Sequence, residues 1–512
     1  MVMKNIIVDG ENLKLSDIEP VARGMVKVFL DKNVRDRITA ARRIVKKAID
    51  EKKVIYGVTT GFGALSDVFI SGNQRKQMQK NIILSHSAGV GNAFDEEIVR
   101  AIMLLRINGL AKGNSCVGFQ TLKTLVEMLN KGVHPVIPEK GSVGASGDLA
   151  PLAHLSLVLI GEGKAVYKNK LLPGKRAMKD AGIKLRELEA GEGLGLINGT
   201  QMMTGIGALV VNDSIKLLKT ADIAAGMSLE VLLGSSVELN ENIHRVRPHN
   251  GQAISAENLR RITENSGIIS SHKDCSRVQD AYSIRCCPQV HGASVDALIY
   301  VKNIIETEMN SATDNPLIFP DKCEIFNNIG NFHGQPIALA MDFLTIALSE
   351  IANISERRIE RLVNPFLSGL PAFLVKNPGI NSGLMIAQYT AAALVSENKT
   401  LAHPASVDSI PTSANKEDHV SMGSIAARKC RQVLFNAENV IAIELLCASQ
   451  ALDLFTNLKA GAGTKEAYKA IRKYIPHLEE DRVLSEDIEK MHKLVHKGSI
   501  LNSVEKKVGM LR

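Results

Sequence analysis

Long apolar stretches with helical spacing dominate the chain beyond residue 200. Five of them predict long helices, and they cover residues 202–239, 293–310, 335–362, 383–402 and 423–458. Several are apolar on nearly every face, which is typical of helices buried among other helices rather than lying on a surface. Helices of this length favour a bundle, so the pattern predicts a mainly α-helical protein.

The first two hundred residues instead mix short strand-like and helical segments. Residues 16–19 read Ser-Asp-Ile-Glu, a capping box that predicts a helix start, with Pro20 in its first turn. Further along, Asp95 predicts the start of a helix and Gly109 its end. Residues 187–195 are acidic and glycine-rich, which predicts an exposed loop.

These changes of character divide the chain into three predicted regions. A mixed N-terminal region covers residues 1–200, and the bundle of long helices covers residues 201–460. A more charged helical cap covers residues 461–512, with a helix start at Ser485.

Composition and charge argue against several kinds of partner. The chain is 45% hydrophobic and 23% charged, which is an ordinary globular balance, and its formal net charge is +8. Aromatic residues make up only 4%, Trp is absent, and Lys and Arg are scattered, which argues against a nucleic-acid surface. We expect a solvated basic surface with mild attraction for carboxylate ligands, and no apolar run of membrane-spanning length.

The seven cysteines indicate a reducing compartment. Their number is odd and their spacing irregular, which favours reduced thiols over a disulfide framework. The N-terminal residues lack the basic-then-apolar pattern of a secretion signal. We therefore expect a cytoplasmic protein.

Residues 141–154 form the most distinctive segment, Gly-Ser-Val-Gly-Ala-Ser-Gly-Asp-Leu-Ala-Pro-Leu-Ala-His. One interpretation is a glycine-rich turn before a buried helix. A second is a phosphate-binding loop, but the Lys-Ser/Thr ending that such a loop needs is absent. In a third, Ala145-Ser146-Gly147, between Gly144 and Asp148, resembles the self-processing triad of the aromatic amino acid ammonia-lyases.

The resemblance implies a prosthetic group made from the backbone. In that family the triad cyclises and dehydrates autocatalytically to 4-methylidene-imidazol-5-one (MIO), an electrophile, and no dissociable cofactor is needed. The residue types suit this chemistry, because Gly147 offers an unhindered amide nitrogen, Ala145 crowds its carbonyl little, and the Ser146 hydroxyl can leave as water. The implied fold is mainly α, a long-helix bundle of the fumarase/aspartase-like superfamily with a smaller mixed N-terminal region carrying the MIO loop.

Other segments that match the family supply the remaining candidate residues. They are Tyr56 in Tyr-Gly-Val-Thr-Thr-Gly-Phe-Gly, His86 after an apolar run, Asn198 in Asn-Gly-Thr, Tyr282 and Arg285 in one motif, Phe332 in Asn-Phe-His-Gly, and Glu417 near Asp418. The implied catalytic set is Tyr56, Ala145, Ser146, Gly147, Tyr282 and Glu417. The implied substrate-binding set is His86, Asn198, Gln279, Arg285 and Phe332.

His86 and Glu417 indicate the substrate. Both residue types are typical of histidine-specific members, although some tyrosine-specific members also carry His at the first position. The implied reaction is the non-oxidative deamination of L-histidine to trans-urocanate and ammonia. A phenylalanine or tyrosine ammonia-lyase, or an aminomutase of the same family, is the alternative, and a catalytically inactive helical scaffold is the alternative from another class.

The implied roles place Arg285 on the substrate carboxylate, where a guanidinium can form a bidentate pair. Tyr56, with a pKa lowered by neighbouring positive or donor groups, would remove the β-proton. Whether Tyr56 or Glu417 takes that proton stays open at this point. The family also implies a homotetramer.

The motif around Arg285 has one competing interpretation. A metal could use His272, Cys275, Cys286, Cys287 and His291, but the spacing does not fit paired Cys-x-x-Cys ligands, and we expect no metal. Four residues depart from the family pattern, and their effect on specificity is open: Cys287, His291, Gln335 and Lys416.

Overall fold

The protein is mainly α-helical in the computed structural model, which describes residues 5–273 and 278–512. The α-helices of that part of the chain are α1 Leu15–Ala22, α2 Val34–Asp50, α3 Arg75–His86, α4 Glu96–Ala111, α5 Phe119–Lys131, α6 Leu149–Leu159, α7 Gly174–Asp180, α8 Glu192–Ile197, α9 Gln201–Val231, α10 Glu241–Arg245, α11 Asn250–Ile262, α12 Gly267–Ser270, α13 Tyr282–Arg285, α14 Cys287–Met309, α15 Gln335–Val363, α16 Pro365–Ser368, α17 Met385–Leu401, α18 Gly423–Leu452, α19 Ala462–Arg472, α20 Leu484–His496 and α21 Ser499–Val508.

Short strands accompany the helices. They are β1 Ile6–Val8, β2 Val28–Leu30, β3 Val90–Ala93, β4 His134–Pro135, β5 Pro138–Lys140, β6 Lys164–Tyr167, β7 Lys170–Pro173, β8 Leu317–Phe319 and β9 Glu324–Phe326. β1 and β2 pair in parallel, whereas β3–β5, β8–β9 and the three-stranded β4-β6-β7 sheet are antiparallel.

The chain divides into two compact units whose segments alternate along the sequence. The first comprises Met1–Asn212, Lys302–Asp342 and Pro404–Arg428, and the second comprises Asp213–Val301, Phe343–His403 and Lys429–Arg512. The division into three consecutive regions stays a prediction.

The five predicted long helices are present as α9, α14, α15, α17 and α18. Helix α9 ends earlier than its apolar pattern indicates, because Leu233 takes a left-handed conformation with φ 52°. The amide of Gly234 then donates to the carbonyl of Leu229 at 2.8 Å and closes the helix end.

Two of the N-terminal predictions need correction. Helix α1 begins at Leu15, so Ser16 lies within its first turn and Pro20 beyond it, and the carboxylate of Asp17 accepts from the Lys14 amide at 2.9 Å. Helix α4 continues through Gly109 to Ala111. Gly109 allows a close contact with Gln201, whose Nε2 would lie 3.3 Å from an added Cβ, and does not mark the helix end.

The predicted exposed loop at 187–195 is wrong for its second half. Residues Glu192–Ile197 form α8, and every one of them is buried. The carboxylate of Glu192 accepts from the Gly118 amide at 2.9 Å and from the Thr121 hydroxyl at 2.7 Å, so burial leaves it hydrogen-bonded.

Helix α15 corrects the expectation about apolar runs. It is long and apolar enough to cross a membrane by length and composition, with a mean hydropathy of 1.6 in its most apolar window. That window is 67% buried within the protein, which is typical of a core helix.

Candidate active site

The segment around Ala145-Ser146-Gly147 lies directly before α6, and its glycines fix its path. Gly144 and Gly147 have φ of 70° and 72°, which residues with a side chain rarely adopt. A Cβ on Gly147 would lie 2.1 Å from the carbonyl oxygen of Gly199. The Cα of this triad residue is therefore packed against backbone with no space for a side chain.

Residues just before and within the start of α18 hold the other side of this loop. The Met422 amide donates to the Val143 carbonyl at 2.9 Å, and the Ser421 hydroxyl donates to the Gly144 carbonyl at 3.1 Å. Ala145 is buried, whereas Ser146 is half-buried. The fixed flanks thus leave the residue that would dehydrate the most accessible of the three.

Asp148 connects the loop to α9, and it is not among the site residues predicted from the sequence. It is fully buried, and its Oδ2 accepts from the amides of Met202 and Met203 at 3.0 and 2.9 Å, in the first turn of α9. Burial raises the pKa of Asp148 to about 7 despite these hydrogen bonds. Asp148 caps a helix that begins more than fifty residues later in the chain, so no local spacing in the sequence indicates this role.

Asn198 lies beside Gly199 with an amide that is only half used. It is 1% exposed, and its Nδ2 donates to the Asn315 carbonyl at 3.0 Å. Its Oδ1 has no hydrogen-bond partner among the described residues. Such a buried acceptor without a partner is uncommon and points to a donor supplied by a ligand.

Tyr56 lies in the same unit, with its hydroxyl accepting from the Gly63 amide at 2.8 Å. Burial raises the pKa of Tyr56, and the negative charge of Glu417 raises it further, against the opposing hydrogen bond from Gly63. The expectation of a lowered pKa is therefore wrong for this chain, because burial of the phenol, with a smaller contribution from Glu417, outweighs the hydrogen bond from Gly63.

His86 is a half-buried ring at the end of α3. Its Nδ1 lies 2.9 Å from the Ile82 carbonyl, and its ring centroid lies 4.9 Å from that of Phe62. A carbonyl only accepts, so Nδ1 carries the proton and Nε2 is left as an acceptor. Burial lowers the pKa of His86, which favours this neutral ring, although the Ile82 carbonyl and the charge of Glu417 oppose the shift.

Glu417 is the third residue of this group, beside Tyr56 and His86. Its Oε2 accepts from the Thr412 hydroxyl at 3.0 Å. A Cβ added to Gly63 would lie 3.7 Å from Glu417 Oε1. The Gly63 amide donates to the Tyr56 hydroxyl and the neighbouring Phe62 ring packs on His86, so Glu417, Tyr56 and His86 surround one short loop.

Phe332 is half-buried in the segment before α15. Two residues later, a Cβ on Gly334 would lie 2.9 Å from the Ser421 hydroxyl, which places this segment beside the residue that holds the triad loop. Gln335 donates to the Ser406 carbonyl at 3.2 Å, while its Oε1 has no partner within the described parts of the chain.

The remaining predicted residues, Gln279, Tyr282 and Arg285, lie in the second unit. The Arg285 guanidinium lies over the Tyr282 ring, with Cζ 4.5 Å from the centroid, and Tyr282 is 71% exposed. Gln279 and Arg285 both line a cavity of about 670 Å³. Arg285 thus places a guanidinium on the cavity wall, where it can pair with a carboxylate. Its Nε is buried and has no hydrogen-bond partner among the described residues.

Cys287 and His291 belong to a buried ionic network beneath Tyr282 and Arg285. His291 Nδ1 lies 2.8 Å from Asp222, and Arg358 donates to the Ser283 carbonyl at 3.4 Å. Burial opposes the imidazolium, but Cys287 and then Asp222 outweigh it and raise the pKa of His291 to about 9.

The alternative metal site finds no partner set in this network. No group of three or more His, Cys, Asp or Glu arranged for a metal occurs within residues 5–273 and 278–512. Cys275 lies outside the described residues. The cysteines that are described form no disulfide.

Comparisons with known proteins give the same picture over the whole chain. The profile of the family described as aromatic amino acid lyase matches residues 13–473. The histidine ammonia-lyase of Alkaliphilus oremlandii is 56% identical over 506 residues, which cover 99% of this chain and 99% of that protein.

Two solved structures are similar in fold. The histidine ammonia-lyase of Trypanosoma cruzi has a TM-score of 0.91 and 44% identity, covering 98% of this chain and 95% of that one. The tyrosine aminomutase of Streptomyces globisporus has a TM-score of 0.94 and 39% identity, covering 99% and 100%. The predicted fold class, a mainly α long-helix bundle of the fumarase/aspartase-like superfamily, is confirmed.

Proposed function

The chain belongs to the aromatic amino acid lyase family, and we propose that it acts as a cytoplasmic histidine ammonia-lyase, converting L-histidine to trans-urocanate and ammonia. The observation that supports the choice of substrate is that His86 packs on Phe62 while Glu417 Oε1 would lie 3.7 Å from a Cβ on the next residue, Gly63. An imidazolium ring donates an N–H from each of its nitrogens, and these two side chains offer an acceptor to each donor.

The triad loop fits the prosthetic group MIO. Gly147 has no room for a side chain, and Ser146 is the accessible member. The unsatisfied Oδ1 of Asn198 suits the N–H donors of the substrate amine, since MIO has no N–H of its own. When formed, this group supplies an electrophilic carbon that takes up the substrate amine and makes it a better leaving group.

The substrate ring is held by His86 and Glu417. The neutral His86 accepts at Nε2, and Glu417 keeps Oε1 available because Thr412 occupies Oε2. Holding the ring fixes the β-carbon, and such positioning matters because the β-proton is weakly acidic.

Tyr56 is the proposed base for the β-proton. Its phenol is protonated in the free enzyme because burial and Glu417 both raise its pKa. An imidazole N–H donated to Glu417 offsets part of that negative charge, so ring binding itself brings the pKa of Tyr56 down. Glu417 stays the alternative acceptor of this proton.

Arg285, with Tyr282 stacked beneath it and Gln279 on the same cavity, is the proposed site for the substrate carboxylate. Phe332 is proposed to pack beside the prosthetic group. A homotetramer is supported by apolar residues that the second unit leaves in water, among them Tyr300, Phe343 and Ile346 at 52%, 46% and 48% exposure.

A substrate panel tests the function. Purified protein is incubated with L-histidine, L-phenylalanine and L-tyrosine, and urocanate, cinnamate and coumarate are followed by absorbance. Histidine turnover that vanishes in Ser146→Ala supports the proposal. Preference for phenylalanine or tyrosine, or a β-amino acid product, favours the lyase and aminomutase alternatives, and no turnover of any substrate favours an inactive scaffold.

A further inference from the structure

Glu417 is presented by a narrow hairpin, residues 412–417, that the catalytic roles above leave unexplained. The Thr412 amide donates to the Glu417 carbonyl at 3.0 Å, and the Glu417 amide returns a bond to the Thr412 carbonyl at 3.4 Å. The Thr412 hydroxyl adds a third bond, to Oε2 of the Glu417 carboxylate, at 3.0 Å. Backbone and side chain of Glu417 are thus both fixed by one residue.

The tip of this hairpin is strained. Ser413, Ala414 and Asn415 have φ of 52°, 53° and 65°, three successive residues in the left-handed region. L-residues rarely adopt this conformation, Asn more readily than Ser or Ala, and it persists where surrounding contacts hold it in place. The conformation therefore calls for a contact that holds the tip.

Ser413 makes that contact, and it does so with the loop that carries Tyr56. Its Oγ accepts from the Ala64 amide at 3.1 Å, while the preceding amide, of Gly63, donates to the Tyr56 hydroxyl at 2.8 Å. A Cβ added to Gly63 would lie 2.6 Å from the Ser413 Oγ, so the two loops touch with no room for a side chain between them. Two adjacent amides thus hold the phenol and the hairpin side by side.

We propose that Thr412 and Ser413 are positioning residues that set the distance between Glu417 and Tyr56. Ser413 registers the hairpin against Gly63 and Ala64, and Thr412 restricts Glu417 to one free oxygen for the substrate ring. This inference rests on the proposed function, since it assigns how its ring-binding carboxylate and its base are aligned.

The test for Thr412 is a double-mutant cycle on the full-length enzyme. Thr412→Val removes a hydrogen bond to a charged group and lowers kcat/KM for L-histidine by roughly tenfold or more, whereas Thr412→Ser, which keeps the hydroxyl, restores it. In a Glu417→Ala background the same Val substitution changes kcat/KM by less than about twofold, because its partner is already gone.

The test for Ser413 separates position from folding. Ser413→Ala lowers kcat by about threefold to tenfold with little change in KM, and it moves the acidic limb of the pH profile to lower pH as Glu417 is held less closely to Tyr56. Thr39→Val is the matched control, because the Thr39 hydroxyl donates to Arg35 within α2, and its kinetics stay those of the wild type.

The outcomes distinguish failure of the proposed function from failure of the roles proposed for Thr412 and Ser413. Wild-type protein without histidine turnover would overturn the proposed function. With wild-type turnover present, the inference fails if Thr412→Val costs as much in the Glu417→Ala background as alone. It also fails if Ser413→Ala changes the melting temperature and enzyme yield but leaves kcat and the pH profile unchanged.

Discussion

Replacing Asp148 by Asn tests whether a buried carboxyl behind the triad loop costs the protein stability. Asp148 is fully buried, and both of its neighbours in α9 donate amides to the same oxygen, Oδ2. An Asn side chain has nearly the same shape and can keep its oxygen at that position. The substitution therefore removes the charge but retains the helix cap.

The sign and size of the effect follow from linkage. Burial raises the pKa of Asp148 from 3.8 to about 7, so between these values the folded chain binds a proton that the unfolded chain has lost. The free energy of unfolding thus falls as pH rises through this window, by about 1.4 kcal/mol per pH unit and about 4 kcal/mol in all. Asn cannot ionise, so its advantage over Asp grows from near zero at pH 4 to that order at pH 8.

Urea unfolding of both proteins at fixed concentration, at pH 4, 5, 6, 7 and 8, measures the difference. Asp148→Ala is the control, because it removes the acceptor and leaves two buried amides unsatisfied at every pH, at a cost of about 2 kcal/mol or more. If the difference in unfolding free energy between the wild type and Asp148→Asn stays constant across the pH range, the pKa of Asp148 is not raised, because the carboxyl then ionises normally.

Three further predictions concern single residues. Tyr56→Phe removes the proposed base and lowers kcat by about a hundredfold or more, with near-normal binding of L-histidine; turnover close to that of the wild type would remove Tyr56 from this role. Gly147→Ala leaves the peptide around Ser146 at its unprocessed mass, because a side chain there meets the Gly199 carbonyl, whereas mass spectrometry of the wild type finds that peptide lighter by two waters. The raised pKa of His291 contributes stability that is complete below pH 6.5 and is lost as pH rises through about 9, and a His291→Met variant whose unfolding free energy keeps that alkaline decline would contradict the assignment.

The parts of the fold that the sequence predicted are those written in local patterns. Helices α9 and α15 repeat apolar residues at helical spacing over 31 and 29 residues, and no distant contact is needed to read them. The triad loop was predictable for a similar reason, because its small residues are consecutive. The predicted exposed loop at residues 187–195 is wrong from Glu192 onwards, because Glu192 is buried and accepts hydrogen bonds from residues 118 and 121.

The parts that could not be predicted depend on contacts between distant segments. In the sequence, Asp148 is an ordinary acidic residue and Ser413 an ordinary loop serine. Their roles depend on the contact of Asp148 with α9 and of Ser413 with Ala64. The sequence predicts a lowered pKa for Tyr56, but this pKa is raised, first because the phenol is buried and then because of the charge of Glu417, which is 361 positions away in the chain. Residue type alone does not show how deeply a side chain is buried or which charges lie near it.

The shared charge of Glu417 joins substrate choice to reactivity. While Glu417 is uncompensated, it raises the pKa of Tyr56 and keeps the proposed base protonated. An imidazole ring donates an N–H to Glu417 and offsets the charge, whereas a phenyl ring has no donor and leaves it in place. With phenylalanine bound, the proposed base therefore stays protonated in a larger fraction of the enzyme, so discrimination between the two substrates is expressed in kcat as well as in KM. Glu417→Gln removes the charge for both substrates, and the kcat ratio of histidine to phenylalanine falls; an unchanged ratio would mean that Glu417 acts on neither the ring nor the base.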